Sequence, residues 1–173
     1  MRKARQLRDG VEYHVVARAN RQEFILEGDL MKRLFLETVR RAKGKYDFRV
    51  TTICVMDNHF HLMITPATGE SLSQIMQWIL SVFAIKFNRM RGLRGHVWYD
   101  RFKSRIISSL RQFAATFVYI NENPVRANIA ACPEQYPYGG HRLLIDGPPG
   151  IVSRPNPLTH VLFPGFGLGA ALS

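Results

Sequence analysis

Two histidines separated by one residue are the most informative feature of the sequence. The segment 58–65 reads NHFHLMIT. On a β-strand, residues i and i+2 point to the same side, so His59 and His61 would share one face while Phe60 faces the core. Two adjacent imidazoles are a metal-ligand arrangement, although a third ligand must come from elsewhere in the chain. The alternative is a pair of ordinary half-buried histidines on a hairpin.

A tyrosine and an asparagine four residues apart could complete such a centre. The segment 117–126 reads FVYINENPVR and contains Tyr119 and Asn123. If the helix continues that far, both side chains lie on one face, and a phenol and an amide oxygen could converge on the metal. The alternative is a tyrosine packed in the core, followed by an Asn-Pro pair that ends the helix.

The charge balance indicates a polyanionic partner. The chain has 24 Lys and Arg residues against 13 Asp and Glu, a net charge of +11, which favours nucleic acid or an anionic membrane. Basic residues cluster on and after the second long predicted helix, with aromatic residues among them, as in sites that bind single strands or hairpins. The cluster comprises Lys86, Arg89, Arg91, Arg94, Arg101, Lys103 and Arg105, with Trp98, Tyr99 and Phe102. The alternative is a solvated basic face whose aromatic rings point into the core.

Hydrophobic periodicity predicts the elements that would position these residues. The order β-α-β-β-α-β plus a helix is the ferredoxin-like, split βαβ pattern of an α+β fold. The predicted strands span 11–18, 48–56, 59–65 and 105–108, with a turn at 57–58. Asp29 and Ser71 are predicted to cap the first two helices, and a third runs from about 110 to about 121. We therefore expect an antiparallel sheet with helices on one face and an extra C-terminal helix that carries Tyr119.

Composition divides the chain into a basic N-terminal arm at 1–9, a domain at 10–138 and a Gly/Pro-rich tail at 139–173 without its own core. The sequence contains no apolar stretch long enough to span a membrane, and we expect no signal peptide because no apolar segment follows the basic N-terminus. Its two cysteines, Cys54 and Cys132, are too few for a disulfide framework or a zinc ribbon. A reducing cytoplasm is the expected location.

Several blocks together resemble a known family. They are YHVVAR at 13–18, CVMDNHFHL at 54–62, HVWYDRFKS at 96–104, Tyr119-Ile120, and NPVRA at 123–127. Their order and spacing resemble the REP-associated tyrosine transposases, which belong to the single-tyrosine HUH transposases of small insertion sequences. The resemblance covers about residues 8 to 145. The chain departs from the family pattern at three positions. Ala19 stands where the family usually has Gly, Asp57 where it usually has Pro, and Glu122 where it commonly has a hydrophobic residue.

The resemblance implies a metal-dependent nuclease and strand transferase that acts on single-stranded DNA at repeat hairpins. Tyr119 would form a 5′-phosphotyrosine link, and His59, His61 and Asn123 would hold Mg²⁺ or Mn²⁺. It also implies a nucleoid-associated protein of a prokaryotic cell, with a monomer favoured and a dimer as the alternative. The alternative function is a non-catalytic module that binds RNA or a DNA hairpin. The residues expected to bind DNA are Arg2, Lys3, Arg5, Arg8, Arg18, Asn20, Lys86, Arg89, Arg94, Trp98, Arg101, Phe102, Lys103 and Arg126.

Overall fold

A four-stranded antiparallel sheet forms the centre of the molecule. The computed structural model describes residues 8, 10–20 and 23–167. The strands are β1 (Tyr13–Arg18), β2 (Phe48–Val55), β3 (His59–Pro66) and β4 (Lys103–Ile106), in the spatial order β2-β3-β1-β4. The helices are α1 (Gly28–Lys43), α2 (Leu72–Arg91), α3 (Leu110–Asn121), α4 (Asn123–Arg126), α5 (Gly140–Asp146) and α6 (Pro157–Leu162). The predicted α+β, split βαβ fold is confirmed.

One face of the sheet is covered by α1 and α2 and holds the main core. Phe35 of α1, Phe60 of β3 and Phe83 of α2 are completely buried. The ring centroids of Phe35 and Phe60 lie 4.4 Å apart. Burying side chains of this size contributes about 2–3 kcal/mol each. Because Phe60 uses the core face, its neighbours His59 and His61 must project from the other face.

The other face of the sheet is covered by α3, which contacts β2 and β3. A buried hydrogen bond fixes the helix there, because the Thr52 hydroxyl donates to Asn121 Oδ1 at 3.0 Å. The Asn121 amide in turn donates to the Phe117 carbonyl at 2.9 Å. Buried polar groups must be paired, so this pair sets the position of α3 along the sheet.

The C-terminal segment packs onto this same α3 side. Phe163 stacks on Phe117 with ring centroids 4.2 Å apart, and Phe166 meets the same ring edge-on at 4.7 Å. Ile151 is completely buried, and the Ser153 amide donates to the Val50 carbonyl at 2.8 Å. The Gly/Pro-rich segment thus packs against the core of the domain through a few apolar anchors.

The β2–β3 turn that precedes the histidines is attached to α1. The Lys32 ammonium pairs with the Asp57 carboxylate, and Lys32 is only 6% exposed. The Asp57 carbonyl also accepts a hydrogen bond from the Leu26 amide at 2.8 Å. Asp57, which departs from the family pattern, is therefore used to neutralise a buried lysine and to hold the start of β3.

Several details differ from the expectations, and β1 begins at Tyr13 rather than at 11. The first helix begins at Gly28 with Glu27 as its N-cap, and Asp29 lies in the first turn, where its charge favours the helix dipole. The last strand spans Lys103–Ile106 rather than 105–108, because its register is fixed by pairing with β1 from Tyr13 to Val16. Ser71 caps α2 as predicted and accepts a hydrogen bond from the Gln74 amide.

Candidate active site

The two histidines of β3 and the tyrosine of α3 come together on the α3 side of the sheet. The rings of His59 and His61 lie 5.0 Å apart at an interplanar angle of 87°. The ring of Tyr119 lies 5.3 Å from that of His61, also nearly perpendicular. Tyr119 is 38% exposed, so its phenol can be reached from solvent. The arrangement places a potential nucleophile beside two imidazoles.

Asn123 joins this group because the chain stays close to helical through the end of α3. The Glu122 amide donates to the Val118 carbonyl, and the Arg126 amide donates to the Glu122 carbonyl, both at 2.9 Å. Tyr119 and Asn123 therefore remain on one side of the chain. Asn123 Nδ2 lies 3.4 Å from His61 Nε2. The spacing of four residues thus brings both side chains beside His61.

Both histidines of β3 are held neutral. Burial lowers the pKa of His61 to about 3, with further lowering by the nearby rings of His59 and His14 and by Arg18. Burial and Arg18 also lower the pKa of His59, while Asp57 acts in the opposite direction. Neutral imidazoles keep a nitrogen lone pair, which is the form that binds a metal ion.

This donor set fits a divalent cation. Two neutral imidazoles and an amide, whose oxygen a flip of Asn123 would present, suit Mg²⁺ or Mn²⁺ with open positions. Within the described ranges, no three His, Cys, Asp or Glu side chains are grouped to hold a metal ion. A cation here would therefore depend on Asn123 or water beside His59 and His61.

A third histidine, His14 of β1, also belongs to the site. His14 Nε2 lies 2.9 Å from His61 Nδ1, and the two rings lie edge to edge with centroids 5.2 Å apart and planes inclined by 26°. Sequence reasoning missed His14 because it stands outside the His-x-His segment. The alternation of β1 did indicate that His14 and Val16 share a face of the strand. That this face lies beside His61 depends on the pairing of Val16 with His61, which is a tertiary contact and cannot be read from local sequence.

Arg126 lies over the exposed phenol. Its guanidinium carbon is 5.5 Å from the centroid of the Tyr119 ring, and its Nη2 is 3.0 Å from a Glu122 carboxylate oxygen. A guanidinium held in this way stays close to any anion that approaches the tyrosine. The predicted DNA-binding role of Arg126 is compatible with this location.

The other residues expected to bind DNA lie in different environments. The exposed cations are Arg8, Arg18, Arg89, Arg94, Arg101 and Lys103, whereas Lys86 and Asn20 are half-buried. Arg2, Lys3 and Arg5 lie outside the described residues.

The aromatic residues of the 96–104 segment divide between core and surface. Phe102 is buried, and Trp98 packs 5.5 Å from Phe83 while its indole N–H donates to the Leu80 carbonyl at 3.0 Å. Tyr99 is 73% exposed. Tyr99 is therefore the ring of this segment most available for stacking on a base.

Three neighbouring cavities lead from the tyrosine around β4. The first, of about 530 Å³, is lined by Tyr119, His14, Lys103 and Arg105. A second, of about 460 Å³, shares Lys103 with it and is also lined by Arg18, Tyr99 and Arg101. The largest, of about 840 Å³, shares Tyr99 and Arg101 with the second and extends to Gln77 and Trp98. We call this series the β4 groove.

The fold and the site together define a class of protein: a sheet domain that presents two histidines and a tyrosine to a basic groove. The family model of IS200-like transposases matches residues 8–123, which include His14, His59, His61, Tyr119 and Asn123. The chain belongs to this family. It is therefore a transposase in the broad sense, a protein that acts on DNA.

Two solved structures are similar in fold. A REP-associated tyrosine transposase bound to a REP hairpin has a TM-score of 0.69 and 19% identity, over 90% of this chain and 93% of that one. A transposase-like protein from Deinococcus radiodurans has a TM-score of 0.50 and 13% identity, over 75% of this chain and 98% of that one. Comparison with curated protein sequences finds no match. None of the helices in the described ranges has the length and hydrophobicity needed to cross a bilayer.

Proposed function

We propose that this transposase cleaves and rejoins single-stranded DNA beside hairpins through a covalent link to Tyr119. The observation that carries the proposal is the position of the exposed Tyr119 ring, 5.3 Å from the ring of His61. A phenol that only filled the core would be buried and would have no need of neutral imidazoles beside it. The net charge of +11 supports a polyanionic substrate.

The reaction is a pair of phosphoryl transfers. The Tyr119 oxygen attacks a backbone phosphorus, the bond from phosphorus to the 3′-oxygen breaks, and the 3′-oxygen leaves with a proton as a free hydroxyl. The product carries its 5′-phosphate on Tyr119. A second 3′-hydroxyl then attacks that phosphorus and releases the tyrosine. The covalent link conserves the bond energy, so no nucleotide hydrolysis is required.

The residues around the phenol have separate tasks. His59, His61 and Asn123 would hold a divalent cation, which when bound offsets the charge of the phosphate. Arg126, whose guanidinium lies 5.5 Å from the Tyr119 ring centroid, would bind a phosphate oxygen of the same group. The buried contact between Thr52 and Asn121 holds the helix that delivers the tyrosine. Positioning of this kind reduces the entropic cost of reaching the reactive geometry.

The β4 groove supports a single strand as the substrate. Arg18, Arg101 and Lys103 line its middle part and can neutralise successive phosphates, while exposed Tyr99 can stack a base. Stacking of one base on an aromatic side chain contributes about 1–3 kcal/mol. The similar solved transposase is bound to a REP hairpin. We infer that the hairpin lies outside the groove and that its unpaired flank enters it toward Tyr119.

A covalent-adduct assay tests the proposal. The full chain is incubated with Mg²⁺ or Mn²⁺ and end-labelled single-stranded hairpins with varied flanks, and adducts are separated on a denaturing gel. We expect an adduct that Tyr119→Phe abolishes with little change in DNA affinity. The matched control Tyr46→Phe removes a phenol oxygen outside the proposed site and should leave the adduct unchanged.

Two outcomes would contradict the proposal. Hairpin binding without an adduct under either metal would favour the non-catalytic binding module. An adduct that persists in Tyr119→Phe would identify a different nucleophile. His59→Ala should abolish both the adduct and its dependence on the cation, and retention of both would remove the metal from the mechanism.

A further inference from the structure

We propose that His14 is a positioning residue that fixes the tautomer of His61, so that His61 Nε2 offers its lone pair toward Asn123. The inference rests on the proposed function, in which His61 is a cation ligand. It assigns a role to a third histidine, on a different strand from the His-x-His pair.

The argument begins with the proton between the two rings. His14 Nε2 and His61 Nδ1 are 2.9 Å apart, so one of these nitrogens donates and the other accepts. If His14 donated, neutral His61 would carry its own proton on Nε2 and would have no lone pair there. If His61 donates, Nε2 is free. Only the second arrangement lets His61 act as a ligand on the side that faces Asn123.

The opposite edge of the His61 ring faces the third proposed ligand. The Asn123 side-chain amide lies 3.4 Å from His61 Nε2, and its nitrogen and oxygen can exchange places by a flip. The hydrogen bond to His14 therefore decides whether Nε2 has a free lone pair. A cation held between Nε2 and the Asn123 oxygen would use that lone pair.

The neighbouring histidine is held in the same way by a different residue. Asn58 Oδ1 lies 2.7 Å from His59 Nδ1 and can only accept, so His59 Nδ1 carries the proton and Nε2 is free. Both ligand histidines thus use Nδ1 for a hydrogen bond within the protein. Acceptors of this type orient a ligand ring and strengthen its binding.

His14 is itself not placed as a third ligand. Its Nε2 is occupied by His61 Nδ1, on the edge of the His61 ring away from Nε2. The ring is held by β1, where His14 pairs with Met63 and Val16 pairs with His61, and its centroid lies 5.2 Å from that of the nearly coplanar His61 ring. These contacts fix an acceptor at one edge of His61.

Two measurements on the metal-free protein and its Mn²⁺ complex test the inference. Long-range ¹H–¹⁵N correlation spectra report which nitrogen of neutral His61 carries the proton, and we expect Nδ1. Mn²⁺ affinity is then measured by electron paramagnetic resonance for His14→Leu, which removes the acceptor, and His14→Gln, whose amide oxygen can replace it. We expect His14→Leu to weaken Mn²⁺ binding about 10-fold or more, and His14→Gln to recover most of the loss. The matched control His160→Leu, in α6, should bind as the unaltered protein does.

The inference fails if His61 of the unaltered protein carries its proton on Nε2, a result that needs no variant and no folding control. It also fails if His14→Leu binds Mn²⁺ as tightly as the unaltered protein, or if His14→Gln is as weak as His14→Leu. The proposed function fails separately. If His61 has the expected tautomer and the His14 variants change Mn²⁺ affinity as expected, but no DNA adduct forms, the role of His14 stands and the proposed nuclease activity is rejected.

Discussion

At the scale of single residues, Glu12 has a carboxylate that the fold buries beside β1. Burial raises the pKa of Glu12 above its usual 4.5, and hydrogen bonds from Thr51 and Thr65 and the charge of Arg49 oppose this shift. One carboxylate oxygen is buried without a hydrogen-bond partner among the described residues. A raised carboxyl pKa means that the folded state binds the proton more tightly than the unfolded state. The stability that Glu12 contributes is therefore present below pH 4.5 and is lost as the pH rises through its folded pKa.

We predict that Glu12→Gln raises the thermal midpoint at neutral pH, because the neutral amide avoids the cost of a buried charge. The increase should be a few degrees, as about 1 kcal/mol produces in a domain of this size. The gain should disappear near pH 4, where the unaltered carboxyl is protonated. Scanning calorimetry from pH 4 to 8 measures both, with exposed Glu23→Gln as the matched control. A gain that does not depend on pH would show that charge burial is not its cause.

The sequence predicted the side-chain pairs that follow local periodicity. His59 and His61 share a face because a strand repeats every two residues, and Tyr119 and Asn123 share one because the helical repeat is near four. The partnership of His14 with His61 could not be read in this way. It depends on the register of β1 against β3, which is set by packing of the whole sheet.

At the scale of elements, the helix that carries Tyr119 is held by the C-terminal segment. Phe166 is 4% exposed, and its ring meets Phe117 of α3 with centroids 4.7 Å apart. Phe117 is two residues from Tyr119, so loss of this contact loosens the element that positions the phenol. The Gly/Pro composition of this segment indicated the absence of a separate core but gave no sign of this contact, because single aromatic anchors have no periodicity.

Phe166→Ala should destabilise the protein by about 3 kcal/mol, the cost of removing a buried phenyl ring. Hydrogen exchange of the α3 amides should accelerate more than that of β1 and β3, because Phe166 packs on Phe117 of α3 and on His141 of α5. Denaturant unfolding and exchange mass spectrometry measure the two effects. Val161→Ala removes a side chain that is 78% exposed in the same segment and should change neither. Equal exchange in α3 before and after Phe166→Ala would show that the segment does not hold the helix.

The strand β4 shows where element prediction is least secure. Its four residues alternate between exposed and half-buried positions, so the hydrophobic signal is weak and the predicted strand was shifted by two residues. The shift leaves the alternation unchanged, and Lys103 and Arg105 still share one face. Pairing with Val16 and His14 places that face beside Tyr119.

At the scale of the whole molecule, the excess of positive charge becomes informative once the fold shows where the charges lie. The basic cluster predicted from the sequence is divided between the exposed end of α2 and the β4 groove. Lys103 and Arg105 are exposed and line the cavity that contains Tyr119. Arg33 and Arg40 are exposed on α1, across the sheet from α3. Two positive charges can therefore be removed either from the β4 groove, at Lys103 and Arg105, or from α1 on the opposite face of the sheet, at Arg33 and Arg40.

This division allows the path of the DNA to be measured through its salt dependence. Each phosphate neutralised on a single strand contributes about −0.7 to the slope of log K against log salt. If Lys103 and Arg105 each bind one phosphate, the double variant Lys103→Gln/Arg105→Gln should decrease the steepness of that slope by about 1.4. Arg33→Gln/Arg40→Gln makes the same change in net charge and should leave the slope almost unchanged. Fluorescence anisotropy titrations across a range of salt concentrations measure both variants. Equal decreases would mean that the strand responds to the overall charge of the protein, whereas a decrease confined to the groove variant would assign the two phosphates beside Tyr119 to β4.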